Sequence, residues 1–343
     1  MVEGSFFTIL CKFERRDSHL KRSFMQKLIF ILTICFLFAC GEQTRKISSQ
    51  TLSDAPVPDS NYVWTEITAN AAFPKSYNFQ MFNIRDTLWV LHHDGGWYSV
   101  DGKNWVKSPL SNIIKNNGFL DYVWFNGALY GLGTFEGNIE HYRLTSAIHR
   151  SSDMRNWEQL ATESNLPKRF FYHPFIFDNK MWIIGGGTEY EKFSDIWNSN
   201  GGVHWTKQAE NLPFGKRQES QFVFFHNKIF MLNNDVWSSN DAIHWTKEAD
   251  RFVPEDIFGY SAVVYDDKIW LLGCNRNNIF KSEMLVSDDG KTWVAVAAPW
   301  SPRGGTTSCI FKNKIFMTGG KYGGTPGKPN FIYSNDVWAL EKK

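Results

Sequence analysis

Side chains that could hold a polar ligand recur at one position of a segment that this 343-residue chain repeats six times. Counted eight residues back from an apolar residue that every copy shares, this position holds Gln80, Asp121, His173, Gln221, Ser261 and Thr307. A carboxyl, an imidazole and two carboxamides at equivalent positions could bind a ligand by hydrogen bonds or exchange protons with it. Polar side chains are equally what a water-filled channel requires, so a purely structural role remains open.

A second position, twelve residues before the same apolar residue, is rich in arginine. It holds Ser76, Asn117, Arg169, Arg217, Ile257 and Arg303. A guanidinium group matches a carboxylate or phosphate with two parallel hydrogen bonds, so three of them on one rim predict the capture of an anion. Tyr172 and Tyr260, as stacking faces, and the carboxylate of Glu219 complete the candidate ligand-binding residues. Hydrogen bonds that hold the fold together are the alternative role for the arginines.

The repeated segment predicts two strands joined by a tight turn. An apolar run, a two-residue turn and a second run with an aromatic residue recur six times, with turns such as Asp178-Asn179, His226-Asn227 and Lys312-Asn313. Asn and Asp tolerate the positive φ angles of two-residue β-hairpins, so each copy predicts a hairpin. Glycine pairs follow the second strand at Gly185-Gly186 and Gly319-Gly320.

Another turn recurs between the third and fourth predicted strands. Serine and tryptophan are six residues apart in five copies, which are Ser99/Trp105, Ser151/Trp157, Ser199/Trp205, Ser239/Trp245 and Ser287/Trp293. An aspartate follows the serine by two residues in four of these copies, and such a side chain can bond the backbone of its own turn. The segment resembles a shortened Asp-box of sialidases. In that family the box is a fold element away from the active site, so we expect it to be structural here.

Six repeats, two of which carry a double glycine, resemble the kelch-like β-propellers, the superfamily of the galactose oxidase central domain. The resemblance covers about residues 62–340 and implies an all-β fold, a six-bladed β-propeller of four-stranded antiparallel blades whose first strands line a central channel. The last repeat ends at Trp338 without a fourth strand, whereas Val63-Trp64-Thr65 matches the fourth strands of other repeats. We therefore predict that an N-terminal strand completes the last blade, because an unpaired edge would invite aggregation.

The N-terminal residues predict where in the cell the protein is located. Residues 28–39 form an apolar stretch after Lys27 that has the length of a signal segment and is too short to span a bilayer comfortably. The stretch ends at Leu37-Phe38-Ala39-Cys40, which resembles the lipobox of bacterial lipoproteins and implies acylation of Cys40. An ordinary secretory peptide is the alternative. The implied location is the bacterial cell envelope, with a lipid anchor in the outer membrane, on its periplasmic side or at the cell surface.

The chain is therefore divided into three parts. Residues 1–40 are the predicted signal segment, within which 1–24 are either an extended basic region or the product of a start codon assigned too early, before Met25. Residues 41–60 are polar, contain two prolines and predict a flexible tether. Residues 61–343 are the predicted propeller.

Composition limits the possible partners. The formal net charge is +2 and the folded part carries no dense run of lysine and arginine, which argues against nucleic-acid binding. Three of the five cysteines precede the folded part, so we expect Cys274 and Cys309 to be free, buried thiols. No metal or cofactor motif stands out, so we expect neither a metal site nor a cofactor, and we expect a monomer.

The residues allow enzymatic functions as well as binding. Galactose oxidase chemistry would need copper held by two tyrosines and two histidines, but His173 is the only histidine predicted in the channel. Sialidase-type glycoside hydrolysis would need an arginine triad with a Tyr/Glu pair, and here the spacing of the arginines follows from the repeat itself. A sugar mutarotase or epimerase of the sialic-acid type needs only an acid/base pair and a carboxylate clamp, and it is the main alternative.

The leading hypothesis is a non-catalytic module that binds a glycan, peptide or protein partner through its loop-rich face. Long loops on a rigid scaffold are where binding residues are usually found. Four such loops are predicted between second and third strands, at about 134–147, 187–194, 274–283 and 320–334. No residue is assigned a catalytic role.

Overall fold

The computed structural model describes residues 61–77, 79–109, 119–137, 141–325 and 328–343. The predicted signal segment (1–40) with Cys40 and the predicted tether (41–60) lie outside the described residues. Regular secondary structure in the described ranges is β-strand throughout. In the same ranges, no helix has the length and apolar character that crossing a membrane would require.

Strands follow one another along the chain in six antiparallel sheets. The first strand of the described residues is β1 (Tyr62–Thr68). Sheet 1 contains β2 (Gln80–Ile84), β3 (Thr87–His92), β4 (Gly95–Ser99) and β5 (Val106–Ser108). Sheet 2 contains β6 (Phe119–Phe125), β7 (Ala128–Gly137), β8 (Tyr142–Leu144), β9 (Ile148–Ser151) and β10 (Glu158–Ala161). Sheet 3 contains β11 (Phe175–Phe177), β12 (Lys180–Ile184), β13 (Ile196–Ser199) and β14 (Thr206–Ala209).

The remaining three sheets repeat this order. Sheet 4 contains β15 (Gln221–Phe225), β16 (Lys228–Leu232), β17 (Val236–Ser239) and β18 (Thr246–Ala249). Sheet 5 contains β19 (Ile257–Phe258), β20 (Ser261–Tyr265), β21 (Lys268–Arg276), β22 (Ile279–Ser287) and β23 (Val294–Ala297). Sheet 6 contains β24 (Gly304–Phe311), β25 (Lys314–Thr325), β26 (Lys328–Tyr333) and β27 (Val337–Lys342), and β1 completes it.

Tight hairpins join the first two main strands of the sheets, as predicted. Between β11 and β12, Asp178 and Asn179 have φ angles of 47° and 53°. Between β15 and β16, His226 and Asn227 have φ angles of 46° and 61°. Two successive positive φ angles are the signature of the type I′ turn, whose twist matches that of the paired strands. The predicted turn residues are therefore confirmed.

The Asp-box-like hairpins are closed by their own serine and aspartate. In sheet 1, the N–H of Gly102 donates to Ser99 Oγ at 2.9 Å. The N–H of Asn104 donates to Asp101 Oδ1 at 2.8 Å. Gly102 has a φ of 76°, and a Cβ atom there would lie 2.3 Å from the ring of Phe316 in sheet 6. The turn chemistry is as expected, and its glycine lets the hairpin pack closely against the neighbouring sheet.

Two sets of contacts close the six sheets into a ring. β1 pairs with β27 from Tyr62 opposite Lys342 to Thr68 opposite Val337, so the N-terminal strand is the fourth strand of sheet 6. First strands of neighbouring sheets also touch, since β24 contacts both β2 and β20, and β15 contacts β20. First strands can meet in this way only around a common axis. The chain is a six-bladed β-propeller, and the predicted N-terminal clasp is confirmed.

Apolar side chains fill the spaces between adjacent blades. Between blades 2 and 3, Tyr130 and Ile148 pack with Met181 and Ile183. Trp205, from the Asp-box-like hairpin of blade 3, belongs to the same cluster. Each blade buries one face against each neighbour, so the apolar residues of both faces are used between blades. The inner edge is left to the polar residues of the first strands.

Three of the four predicted long loops contain paired strands instead. In the segment 134–147, β7 extends to Gly137 and β8 pairs with it. Two others are extended hairpins. β21 and β22 stay paired out to Arg276 opposite Ile279. β25 and β26 pair from Lys321 opposite Tyr333 outwards. The prediction of loops at 274–283 and 320–334 was wrong because the two arms of each segment satisfy each other's backbone groups across the hairpin. The loop-rich face therefore carries two projecting ribbons.

Neither described cysteine forms a disulfide, in agreement with the prediction. Cys274 is buried in the cluster between blades 4 and 5, which includes Ile257 and Leu271. Cys309 is only half-buried, so the prediction that it is buried was wrong for this thiol. Burial raises the pKa of both thiols, to about 12 at Cys309. Both thiols are thus protonated and act as small apolar side chains.

Candidate functional site

The arginines predicted to form an anion-binding rim are buried and bind aspartates of their own blades. Arg169, with 1% of its surface exposed, donates to Asp195 Oδ1 at 2.7 Å and to Asp195 Oδ2 at 3.0 Å. It also donates to the carbonyl oxygens of Pro167 and Gly185, at 3.0 Å and 2.8 Å. The ring centroid of Phe193 lies 4.4 Å from its guanidinium carbon. These contacts occupy the donors that an anionic ligand would need.

The same arrangement recurs in blades 4 and 6. Arg217 Nη1 donates to Asp235 Oδ1 at 2.8 Å. Arg303 Nη2 donates to Asp336 Oδ2 at 3.0 Å. In all three blades the aspartate also accepts from the indole N–H two residues further on, at 2.7 to 2.8 Å from Trp197, Trp237 and Trp338. This Arg–Asp–Trp unit is internal to each blade and matches the structural role that the sequence left open.

The two candidate tyrosines join neighbouring blades. Tyr172 of blade 3 donates its hydroxyl to the carbonyl of Gly133 in blade 2, at 3.0 Å. Tyr260 of blade 5 donates to the carbonyl of Asn233 in blade 4, at 2.9 Å. Both side chains are buried. They hold blades together at equivalent positions, and their rings are not exposed as stacking faces.

Replacing Tyr172 by phenylalanine is expected to lower the free energy of unfolding by about 1–2 kcal/mol, because the Gly133 carbonyl loses a buried donor. Denaturation in urea at neutral pH measures the change. Tyr190→Phe is the matched control, since Tyr190 is 87% exposed and its variant should stay within about 0.5 kcal/mol of wild type. Equal stability of the two variants would refute the bridging role of Tyr172.

Three of the six predicted channel side chains bridge adjacent blades. Gln80 of blade 1 donates from Nε2 to the carbonyl of Leu120 in blade 2, at 2.9 Å. Thr307 of blade 6 accepts at Oγ1 from the N–H of Met81 in blade 1, at 3.0 Å. Ser261 of blade 5 accepts from a serine hydroxyl of blade 6 at 2.8 Å. These three side chains therefore help to fix the ring.

The other three channel side chains come from three consecutive blades and are not used in this way. They are Asp121 in β6, His173 just before β11 and Gln221 at the start of β15. All three side chains are half-buried. Within the ranges that the structure describes, their side-chain polar atoms form no hydrogen bond or ion pair with another protein group. None of these polar atoms is fully buried, so they remain accessible in the channel and a ligand can pair with them.

The surrounding protein changes the charge of this arc. Burial raises the pKa of Asp121 to about 8 and lowers the pKa of His173 to about 4. In both cases the charged form is disfavoured because it loses solvation. At neutral pH the arc therefore presents mainly a carboxylic acid, a neutral imidazole and the carboxamide of Gln221. Donors and acceptors are abundant there, and net charge is small.

Glu219 lies at the junction of blades 3 and 4, two residues before Gln221. Its N–H donates to the carbonyl of Phe171 at 2.8 Å. Both residues have positive φ angles, 59° and 58°, a strained conformation for residues other than glycine. Burial raises the pKa of the Glu219 carboxyl, while Lys192 and Lys321 act to lower it. An acidic group thus lies two residues before Gln221 in the chain, within reach of the charges of Lys192 and Lys321.

The sequence did not single out two further features of the structure. Lys321 is 2% exposed, and its Nζ lies 3.9 Å from the ring centroid of Tyr77 and 4.5 Å from that of Phe331. The residues His92–Asp94 bring three potential ligand atoms within 4.8 Å of one another. The sequence signal for the His92–Asp94 cluster was the run of two histidines and an aspartate at the end of a second strand. The contact of Lys321 with Tyr77 could not be found locally, because Tyr77 lies at the other end of the propeller sequence.

Comparisons with known proteins agree with this architecture. A family described as the DUF6242 beta propeller domain matches residues 152–253, from the end of blade 2 through blade 4. The chain thus resembles a known propeller family. Among solved structures, this propeller is similar to that of YjhT, with a TM-score of 0.63, 14% identity, and coverage of 79% of this chain and 96% of that chain. A likeness at that identity shows the fold alone. No curated protein matches the sequence.

Proposed function

We propose that this propeller is a binding module that holds an uncharged, hydroxyl-rich ligand, such as a glycan segment, at its channel. The observation that carries the proposal is the arc of Asp121, His173 and Gln221, whose polar atoms have no hydrogen-bond partner among the described residues. These groups are accessible in the channel and can give a ligand several hydrogen bonds at once. The equivalent residues of the other three blades already form hydrogen bonds to a neighbouring blade, so fewer of their polar atoms are available to a ligand.

The chemistry of the arc favours a neutral ligand. With the pKa of Asp121 near 8 and that of His173 near 4, neither side chain is mainly charged at pH 7. Sugar hydroxyls donate and accept at once, so they can pair with a carboxylic acid, an imidazole and a carboxamide together. The arginines support no anionic ligand, because each is paired with its own aspartate. Glu219 would add an acceptor beside the arc.

Titration with neutral oligosaccharides, after a screen on a glycan array, tests the proposal. We expect His173→Ala and Gln221→Ala each to weaken binding at least about tenfold, which corresponds to about 1.4 kcal/mol. The matched controls are His204→Ala and Gln208→Ala in the outer part of blade 3, which should bind as the wild type does. Binding that survives both channel substitutions, or a screen in which only peptides or proteins bind, would contradict the glycan proposal.

A sugar mutarotase is a second candidate because one observation favours it. A carboxyl with a pKa of about 8 can donate a proton at neutral pH, and a neutral imidazole can accept one. An uncharged reducing sugar is the substrate to test first, since the arginines that could clamp a carboxylate are paired. NMR exchange between the anomers of galactose and of sialic acid measures the activity. Acceleration that disappears in Asp121→Asn would favour the enzyme over the simple binder.

The location of the module is part of the proposal. Acylation at Cys40 and a tether over residues 41–60 would anchor the propeller to the bacterial cell envelope and leave its loop-rich face free to meet a partner. A monomer suffices for this arrangement, since all of the arc comes from one chain. No nucleic-acid partner is expected for a chain with a net charge of +2.

A further inference from the structure

Three potential metal ligands converge at the turn between β3 and β4 of blade 1. His92 Nδ1 lies 3.2 Å from Asp94 Oδ2, and His93 Nε2 lies 3.4 Å from Asp94 Oδ1. The three ligand atoms lie within 4.8 Å of one another. In a tetrahedral zinc site with ligand distances of about 2.0–2.1 Å, two ligands are about 3.3–3.4 Å apart. Each histidine already lies at about this distance from one oxygen of Asp94, His92 from Oδ2 and His93 from Oδ1.

His92 places its Nδ1 in this cluster and its Nε2 against Ser76. Nδ1 lies 3.2 Å from Asp94 Oδ2, to which it donates when it carries the proton, and 3.4 Å from the N–H of Asp94, from which it accepts when it does not. Nε2 lies 3.2 Å from Ser76 Oγ and can pair with it in either tautomer. A metal ion at Nδ1 would select the tautomer in which the proton sits on Nε2. An imidazole that presents one nitrogen and donates from the other is the usual form of a histidine that ligates a metal.

His92 Nδ1 and Asp94 Oδ2 lie 3.2 Å apart, a distance that a proton or a metal ion can bridge. A proton on Nδ1 fills this place in the metal-free chain, and a divalent cation would displace that proton and bind both atoms. His92 is 7% exposed and held between Ser76 and the ring of Phe79, so it cannot turn away easily. The cluster is therefore fixed at its buried end.

We propose that His92, His93 and Asp94 form a site for a divalent transition metal of the zinc type, with at least one coordination position open to solvent. Two imidazoles and one carboxylate are a donor set typical of Zn²⁺ and of its neighbours in the first transition series. Ca²⁺ and Mg²⁺ prefer oxygen ligands alone and are not expected to bind. The side chain of His93 is exposed, so it can rotate slightly and bring its ligand atom closer to those of His92 and Asp94.

The site would lie where the ring closes. Ser76, which holds His92, donates its N–H to the carbonyl of Ser334 in blade 6 at 3.2 Å, and the N–H of Gly320 donates to the carbonyl of Ser76 at 3.0 Å. A metal bound by His92 would therefore stabilise the junction between the first and last blades. Metal binding to the folded state alone raises the melting temperature. This inference is independent of the ligand proposed for the channel.

Titration of ZnCl₂ into the full propeller, freed of metal by chelation and without a histidine tag, tests the site. We expect one Zn²⁺ per chain, a raised melting temperature and no binding of Mg²⁺. Asp94→Ala and His93→Ala should weaken Zn²⁺ binding at least about 100-fold, and Ser76→Ala, which changes only the residue that orients His92, about tenfold. Asp94 and His93 are both more than a third exposed, so these two variants are expected to fold.

A second histidine–aspartate pair provides the control. In the outer hairpin of blade 4, His244 Nδ1 lies 2.7 Å from Asp241 Oδ2, and both side chains are exposed. His244→Ala should leave Zn²⁺ affinity unchanged. A wild-type chain without one-to-one binding would overturn the proposal, and so would an equal loss of affinity in His244→Ala and His93→Ala. Oligosaccharide affinity measured with and without chelator reports separately on the channel.

Discussion

The variant Arg169→Ala is expected to have a free energy of unfolding about 3–5 kcal/mol below that of wild type, because it leaves a nearly buried carboxylate without its partner. The Asp195 side chain is 12% exposed and accepts hydrogen bonds of 2.7 and 3.0 Å from Arg169. Burial alone would raise the pKa of Asp195, and the hydrogen bonds and charge of Arg169 lower it below the usual value. Denaturation followed by tryptophan fluorescence measures the loss.

An exposed arginine gives the comparison for this experiment. Arg150 Nε donates to Glu158 Oε1 at 2.7 Å, but the two side chains are 40% and 57% exposed. Arg150→Ala should therefore cost less than about 1 kcal/mol. If Arg169→Ala is as stable as wild type but loses affinity for a ligand, Arg169 contacts that ligand and its internal role is refuted. The paired variant Arg169→Met/Asp195→Leu should recover part of the loss, since it removes both charges together.

The variant Asp121→Asn is expected to be more stable than wild type at pH 8, by on the order of 2–4 kcal/mol, and equally stable near pH 4. Burial raises the pKa of Asp121 to about 8 from the 3.8 of an unperturbed carboxyl. Between these values the unfolded chain gives up the proton while the folded chain keeps it. The free energy of unfolding of wild type therefore falls as the pH rises from about 4 to about 8. Asparagine has no proton to lose, so its variant lacks this dependence.

A carboxyl shifted in the opposite direction is the control for the pH experiment. Hydrogen bonds from the backbone N–H groups of Asn156 and Arg155 lower the pKa of Asp153 to about 2. The ionised form of Asp153 thus contributes stability above about pH 4 that is lost as the pH falls towards 2. Asp153→Asn should therefore be less stable than wild type at neutral pH. Parallel pH profiles of Asp121→Asn and wild type would contradict the raised pKa.

Asp195 and Asp121 differ in what their carboxyl groups do for the protein: one stabilises the fold, and the other is proposed to bind a ligand. Asp195 is satisfied by an arginine and an indole of its own blade, so its removal costs stability. Asp121 has no such partner among the described residues, so its removal should restore stability at the expense of binding. A side chain that lowers stability is kept where a ligand needs it, which is the usual compromise at a binding site. The two measurements together test the proposed function from the stability side.

Much of the fold was predictable because its signals are local. Each hairpin is specified by an apolar run and two turn residues, such as Asp178-Asn179, within a dozen positions. The clasp followed from a similar local comparison, since the strand at Trp64 matches the fourth strands of other repeats. The projecting ribbons at 274–283 and 320–334 were missed because largely polar segments do not reveal from sequence whether their arms will pair.

The sequence predicted which positions line the candidate site, but not which hydrogen bonds the side chains at those positions form. Sequence placed Asp121, His173 and Gln80 at equivalent points of their repeats. It could not show that Gln80 bridges to Leu120, 40 residues away, while the other two are left unpaired. Nor could it show that the face of Tyr77 is covered by Lys321. Such partners come from other blades, and no local pattern records them.

The amino-acid sequence by itself determined the six blades, their turns and the strand that closes the ring, because backbone pairing and alternating burial depend on neighbours along the chain. Only the tertiary structure decided which polar residues are free to act. Arg169 meets Asp195 across 26 residues, and Thr307 meets Met81 across 226. Whether a buried donor or acceptor is satisfied depends on distances between remote segments, and those distances exist only once the ring is closed.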